Sequence, residues 1–165
     1  MAQSRHLARQ EPHVPGPRTA RRAILVTVAR WTCPNCARSF GRTRQGHECA
    51  PALTFDEYFS TGPSWERPIV DAVLAHLRGL GQPVEVEAVS VGIFCKGRRT
   101  YIEMRPMKDS VALSFALDRR IEHPRLSRKP AQTGSSWVHF VRLRTPEDVD
   151  DVVRAWITES HDLFA

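Results

Sequence analysis

The sequence predicts an α+β fold: a two-layer domain with a mostly antiparallel sheet of about five strands and two main helices, preceded by a small cysteine-containing knuckle. Two observations carry this prediction. Apolar residues recur with the period of a helix in residues 65–80 and again in residues 149–157. Between these two segments, apolar and polar residues alternate with a period of two, which is typical of strands with one buried face.

The knuckle, residues 31–50, is organised by four side chains that can bind a metal. Cys33 and Cys36 form a C-x-x-C turn, and His47 and Cys49 follow as H-x-C. Three thiolates and one imidazole complete a tetrahedral zinc shell and leave no open position, so we predict a structural zinc. A redox C-x-x-C would accompany a βαβ pattern, and a disulfide would need an oxidising compartment, and the sequence indicates neither.

The loop between the two pairs of metal ligands is basic. It carries the arginines Arg38, Arg42 and Arg44. These guanidinium groups either offset the charge of the Cys3His site or contact phosphate, and the sequence favours neither role over the other. The one large apolar residue of the loop is Phe40, which we expect to pack against Trp31.

The whole chain has a net charge of +6, and the positive charge is concentrated in its N-terminal residues. Residues 1–30 carry six arginines and one glutamate, and their prolines and few apolar residues predict a disordered basic tail. Residues 31–50 then form the zinc knuckle, and residues 51–165 form the α+β domain, which is close to neutral. The abrupt change at residue 31 suggests the hypothesis of a natural start at Val28, which an intact-mass measurement would test.

Apolar runs in the sequence are short. None approaches the roughly 18 residues that a membrane span needs, and no export signal is recognisable. With cysteines of the zinc-binding type, these features predict a cytoplasmic protein that does not contact a membrane. The sequence leaves the oligomeric state open.

Three segments are predicted to be helical. After the knuckle, Thr54 and Glu57 have the spacing of a capping box, which favours a short helical turn. Residues 65–80 form an amphipathic helix that ends where glycines and a proline follow. The last helix is expected to begin at Thr145 as its N-cap and to face the core with one apolar stripe. That stripe consists of Val149, Val152, Val153, Trp156 and Ile157.

The strands are predicted from the alternating segments. They are residues 84–88, 91–96, 100–105, 110–117 and 137–143. Residues 96–99 form a basic hairpin turn between the second and third strands. Residues 118–136 are rich in Arg, Pro and Ser and are expected to form a long loop.

A second basic cluster comes from this hairpin, the strand that follows it and the next turn. It consists of Lys96, Arg98, Arg99, Arg105 and Lys108. If Tyr101, Glu103 and Arg105 share the sheet face away from the helices, that face can bind an anion. The alternative is a solvated hairpin in which Arg105 pairs with Glu103 or Glu85.

No set of catalytic residues stands out. His76 is expected to be exposed or snorkelling beside the apolar stripe of a helix, whereas His139 is expected to be packed in the core. Cys95 lies alone in a strand and is interpreted as a small buried apolar residue. The sequence also lacks the common nucleophile and phosphate-loop motifs, and it therefore favours a binding module over an enzyme.

Several short motifs together resemble a known family. They are W-x-C-P-x-C-x-R-x-F from residue 31, Gln45-x-His47-x-Cys49, Gly62-Pro63, residues 94–100, R-P-x-K at 105–108, L-S-F at 113–115, and D-V-D at 148–150 with Trp156. This pattern resembles a bacterial family catalogued as domain of unknown function 5655, from Trp31 to the C-terminus. The resemblance implies a small α+β domain, here preceded by a zinc knuckle, and it implies no activity.

Two classes of function compete. In the first, the zinc knuckle and the basic hairpin contact nucleic acid, mainly through phosphates, and binding depends steeply on salt. In the second, the zinc only fastens the knuckle to the domain, and the sheet binds another protein or a small anion with little salt dependence. The arginines around the metal ligands favour the first.

Overall fold

The computed structural model describes residues 30–165. The predicted basic tail lies outside the described residues, apart from Arg30. The knuckle contains two short antiparallel strands, β1 (Trp31–Thr32) and β2 (Ser39–Phe40). The rest of the chain forms, in order, α1 (Phe55–Phe59), α2 (Glu66–Gly79), β3 (Glu85–Val89), β4 (Gly92–Lys96), β5 (Thr100–Pro106), β6 (Val111–Leu117), β7 (Ala131–Thr133), β8 (Ser136–Leu143) and α3 (Asp151–Phe164).

The predicted α+β class is confirmed, and the main sheet is antiparallel throughout. Its strand order is β3-β4-β5-β6-β8-β7, so it has six strands where about five were predicted. The additional strand, β7, lies inside the segment 118–136 that was predicted to be loop. It pairs with β8 across a tight turn at Gly134, whose φ of 61° suits glycine. All three residues of β7 are exposed, and so it has no apolar alternation that a sequence pattern could reveal.

The two long helices cover one face of this sheet. Side chains of α2 and α3 share a core with the inward-facing residues of the strands, which include Ile93, Met104, Leu113 and Val141 in one cross-strand row. The opposite face, called the outer face below, carries the next row. That row consists of Glu87, Phe94, Glu103, Ser114 and Phe140. Within residues 30–165, no helix is long and apolar enough to cross a bilayer.

The helix ends agree with the sequence at α1 and differ at α3. Thr54 caps α1 as predicted, because its hydroxyl accepts from the Glu57 amide at 3.2 Å. The prediction that Thr145 caps the last helix is wrong. Thr145 caps a separate 3-10 turn, Pro146–Asp148, and α3 is capped by Asp150, which accepts from the Val153 amide at 2.9 Å. Asp148 accepts from the Thr145 amide at 3.1 Å, which closes the 3-10 turn on itself before α3 starts.

The condition that Tyr101 shares the face away from the helices with Glu103 and Arg105 is not met. Strand β5 contains a bulge, because Cys95 pairs with Ile102 whereas Lys96 pairs with Thr100. An extra residue at a bulge breaks the alternation of side chains between the two faces. Tyr101 is therefore only 2% exposed, and its hydroxyl lies 3.0 Å from His161 Nδ1 of α3.

Candidate metal centre

The four predicted metal ligands converge in the knuckle. A tight turn after β1 places Cys33 and Cys36 side by side, because the Ala37 amide donates to the Cys33 carbonyl at 2.9 Å. The chain then passes through β2 and returns with His47 and Cys49. One donor atom from each of the four residues lies within 4.8 Å of all the others. The knuckle therefore contains a cluster that can hold a metal ion.

The spacing of the donor atoms suits a tetrahedral site. The Cys33 and Cys49 sulfurs are 3.7 Å apart, and the Cys36 sulfur is 3.4 Å from His47 Nε2. A tetrahedral zinc with bonds of roughly 2.3 Å to sulfur separates two sulfurs by roughly 3.8 Å. His47 Nδ1 donates to the Gln45 carbonyl at 2.7 Å, which leaves the lone pair of Nε2 directed at the sulfurs.

The turn also prepares Cys33 for a metal. Hydrogen bonds from the backbone at Asn35 and Cys36 lower the pKa of the Cys33 thiol to about 6. Two main effects raise the pKa of the Cys49 thiol: the larger is its hydrogen bond with Cys33, and the smaller is burial. A metal ion binds thiolates, so metal binding at neutral pH releases protons and favours the remaining cysteines in their charged form.

A miniature aromatic core supports the site. Phe40 packs against Trp31, as predicted, with ring centroids 6.0 Å apart. It also lies on the ring of His47, at a centroid distance of 4.1 Å. Phe40 is 7% exposed. The contact holds the imidazole in the plane that its hydrogen bond to the backbone defines, and so it helps to orient the ligand.

A buried group of three charges attaches the knuckle to the outer face of the sheet. Glu87 of β3 accepts from Arg38 at 2.7 Å and from Lys96 of β4 at 2.6 Å. The three side chains are between 8% and 11% exposed. Lys96 also lies 3.4 Å from the Ser39 carbonyl, and so it contacts the knuckle directly. Burial opposes the charge of Glu87, but the hydrogen bonds from Arg38 and Lys96 hold its pKa below the usual value.

This arrangement assigns a structural role to two of the eight predicted ligand-binding residues. Arg38 and Lys96 are both neutralised by Glu87. Sequence reasoning did not single out Glu87, which was one of several alternating polar residues of a strand. A second docking contact was also missed, the hydrogen bond of 2.8 Å from Ser90 to Glu48. The strand period placed Glu87 and the spacing of the metal ligands placed Glu48, and neither local pattern shows that the knuckle returns to the sheet.

The hairpin arginines contact the end of α3. Arg98 donates to the Leu163 carbonyl, and the guanidinium of Arg99 lies 4.4 Å from the ring centroid of Phe164. The carbonyls at a helix C-terminus lack partners within the helix, so cations are favourable there. Gly97 permits this approach, because a Cβ at this position would lie 2.0 Å from the Phe164 oxygen.

The other four predicted ligand-binding residues are exposed. Arg105 pairs with Glu103, which is the solvated alternative considered above. Arg42 and Arg44 lie at the tip of the metal loop, and Lys108 lies in the turn between β5 and β6. None of these last three forms an ion pair within residues 30–165. Of the eight predicted residues, only Arg42 and Arg44 lie in the metal loop without a carboxylate partner among the described residues.

His139 and Cys95 occupy the buried environments that were expected for them, whereas His76 is less exposed than expected. His139 is fully buried, and its Nε2 accepts from the Ile121 amide at 3.1 Å. Burial lowers its pKa. Cys95 is fully buried as well, and burial raises the pKa of its thiol to about 12, which keeps it protonated and unreactive at neutral pH. His76 is only partly exposed on α2, and its Nε2 lies 2.9 Å from the Thr158 hydroxyl of α3.

Comparison with known proteins identifies the α+β domain. The family described as domain of unknown function (DUF5655) matches residues 55–163, from α1 to the last turn of α3. No curated protein and no solved structure matches the chain at a significant level. The match begins after the knuckle, so the predicted resemblance is confirmed for the domain and not for residues 31–50. Because the matched segment covers more than half of the chain, the chain belongs to this family of unknown function.

Proposed function

We propose that this chain is a zinc-binding module in which the metal has a structural role. The observation that supports this proposal most strongly is that four donor atoms lie within 4.8 Å of one another, on a loop that is docked on the sheet. Three cysteines and one histidine fill a tetrahedral shell, so a substrate finds no open position on the ion. Thiolate and imidazole donors in this geometry favour zinc over calcium or magnesium, which prefer oxygen ligands.

Metal content tests the zinc proposal. Protein purified under reducing conditions is expected to contain about one zinc ion per chain by elemental mass spectrometry. Cys49→Ser should lose the metal, because a hydroxyl is a poor zinc ligand. The matched control is Cys95→Ala, which removes the fourth cysteine of the chain from the sheet rather than the knuckle. Equal zinc content in both variants would contradict the proposal.

A contact with nucleic acid is the functional role that we propose for the knuckle tip. Arg42 and Arg44 support it, because both are exposed and neither pairs with a carboxylate within residues 30–165. The proposed contact is narrower than the set expected from the sequence, since Arg38 and Lys96 are neutralised and the hairpin arginines contact α3. Guanidinium groups on an exposed loop would bind phosphates without reading the base sequence.

A salt titration tests this contact. Fluorescence anisotropy with short single-stranded and duplex oligonucleotides is expected to show binding that weakens as salt increases. Replacing Arg42 and Arg44 by alanine should reduce the slope of log affinity against log salt by about two. The charge-matched control replaces Arg67 and Arg154, which lie on the helices, away from the outer face. If the control loses as much affinity, or if nothing binds at low salt, the zinc only holds the knuckle on the sheet.

A further inference from the structure

A cleft of about 420 Å³ separates the knuckle from part of the outer face. Its floor is formed by β5, β6 and β8, and its wall is formed by β2 and the loop that follows it. The cleft exists because the knuckle covers β3 and β4 and leaves the neighbouring strands open. Its volume falls within the range of small-molecule sites, roughly 300 to 1,000 Å³.

Small side chains form the floor. Thr100, Ser114, Ala116 and Val138 project from adjacent strands into the cleft. Ser114 and Ala116 stand where the sheet pattern would accept large residues, and their small size gives the floor its depth. Within residues 30–165, no protein group hydrogen-bonds to the hydroxyl of Thr100 or Ser114. The floor therefore presents two hydroxyls beside methyl groups, which suits an organic group with polar substituents.

The rim is strongly cationic. Five basic side chains and one carboxylate, Glu103, line the cleft. The basic residues are Arg30, Arg42, Lys96, Arg98 and Arg99. Glu103 pairs with Arg105, while Lys96 and Arg30 pair with glutamates of β3. Three of the lining arginines, Arg42, Arg98 and Arg99, are left without a carboxylate partner in the described part of the chain.

Arg99 is the most informative of the three. Its guanidinium is held on one side by the ring of Phe164 and donates to Ser136 Oγ at 3.1 Å. These neutral contacts fix its position and do not balance its charge. Burial lowers the pKa of Arg99, and among the described residues no carboxylate acts in the opposite direction. A positioned, partly desolvated guanidinium is the group that binds phosphate oxygens in pairs of hydrogen bonds.

We propose that this cleft binds a small phosphate ester, with its phosphate between Arg42, Arg98 and Arg99 and its organic group over Ser114 and Val138. The proposal requires the knuckle to be docked, but it does not depend on the nucleic-acid contact at the knuckle tip. A dianionic phosphate matches three unpaired cations better than a single carboxylate does. The segment before Arg30 carries five arginines and one glutamate, so its charge does not make it a competing anion.

Ligand titration of the zinc-loaded full chain tests the site, with ribose 5-phosphate, adenosine monophosphate and inorganic phosphate as probes. Amide resonances of the floor strands and of the loop at Arg42 are expected to shift with saturation for at least one of the two esters. Adenosine, which has no phosphate, should leave them unchanged. Equal shifts with adenosine, or no saturable binding of either ester up to millimolar concentration, would overturn the proposal. If inorganic phosphate alone binds, the assignment of an ester is wrong.

Two variants locate the site. Ser114→Leu fills the floor without a change of charge and should reduce ester affinity about tenfold or more, since the organic group loses its place. Arg42→Glu changes an exposed side chain, so the fold is retained, and should also reduce affinity at least tenfold. The charge control is Arg154→Ala on the helix layer. Wild-type ester affinity in Arg42→Glu, or in a folded Ser114→Leu protein, would place the ligand elsewhere.

The same variants separate this proposal from the nucleic-acid contact. Ser114 lies on the sheet and Arg44 lies outside the cleft. Loss of ester binding in Ser114→Leu, with wild-type oligonucleotide binding, would establish two sites. Oligonucleotide binding that depends on Arg44, together with the absence of any ester binding, would reject the cleft alone. Ester binding without oligonucleotide binding would reject only the contact at the knuckle tip.

Discussion

Removal of the proposed zinc at neutral pH is expected to unfold the knuckle, residues 31–50, while the α+β domain stays folded. The knuckle has almost no core of its own, since its buried apolar residues are Cys33, Cys36 and Phe40, with Trp31 partly buried against them. So small a core does not offset the entropy of ordering about twenty residues. Structural zinc supplies about 10 to 16 kcal/mol in comparable small sites, and that contribution is lost on chelation. The domain keeps its separate core between the helices and the sheet.

Limited trypsin digestion measures this effect, because the loop offers Arg42 and Arg44 as exposed cleavage sites and Arg38 as a docked one. In the zinc-loaded protein, cleavage after Arg38 should be slow. After addition of a strong chelator, we expect rapid cleavage at all three arginines and a resistant fragment that contains residues 51–165. Cys95→Ala should behave as the wild type does, whereas Cys49→Ser should be cleaved rapidly even before chelation. A chelated protein as resistant at Arg38 as the loaded one would contradict the prediction.

The second large effect is expected from Glu87→Gln. This change leaves Arg38 and Lys96 charged, buried and without their common partner. Removing one member of a buried ion pair typically costs about 3 to 5 kcal/mol, because the remaining charge is not compensated. The knuckle can leave the sheet while the domain remains folded, so the loss should appear as weaker docking rather than as global unfolding.

Amide hydrogen exchange in β2, at Ser39 and Phe40, measures docking directly. We expect exchange in Glu87→Gln to be about 100-fold faster or more, which corresponds to the lower end of that free-energy range. The control is Glu85→Gln on the same strand, because Glu85 is half exposed and its pair with Arg30 should contribute less than about 1 kcal/mol. If the two variants show equal protection of β2, Glu87 does not hold the knuckle in place.

The pH dependence of the wild type follows from the same group. The pKa of Glu87 is lowered in the folded protein from its ordinary value of 4.5. The docking free energy that this carboxylate supplies is therefore fully present above pH 4.5 and is lost as the pH falls through the lower folded value. Protection of β2 in the wild type should approach that of Glu87→Gln only in this acidic range.

Much of the fold could be predicted because its signals are local. The capping box of Thr54 and Glu57, the five alternating segments and the C-x-x-C spacing each involve residues close together in the chain. Two local predictions failed for local reasons. A bulge in β5 turned Tyr101 toward the helices, and a self-contained turn separated Thr145 from α3.

Local sequence patterns were sufficient to predict the α+β class, the helices, five of the six strands of the main sheet and the four clustered donors, because periodicity and ligand spacing report directly on local geometry. The partners of the charged residues, in contrast, depend on how distant segments fold together. Glu87 meets Lys96 nine positions away and Arg38 49 positions away, and no pattern distinguishes it from the other glutamates. Charged residues pair across segments that are distant in the chain, and the fold decides which segments meet. The arginines predicted as ligands therefore have different roles: Arg38 docks the knuckle, Arg98 contacts the C-terminus of α3, and Arg42 lines an open cleft.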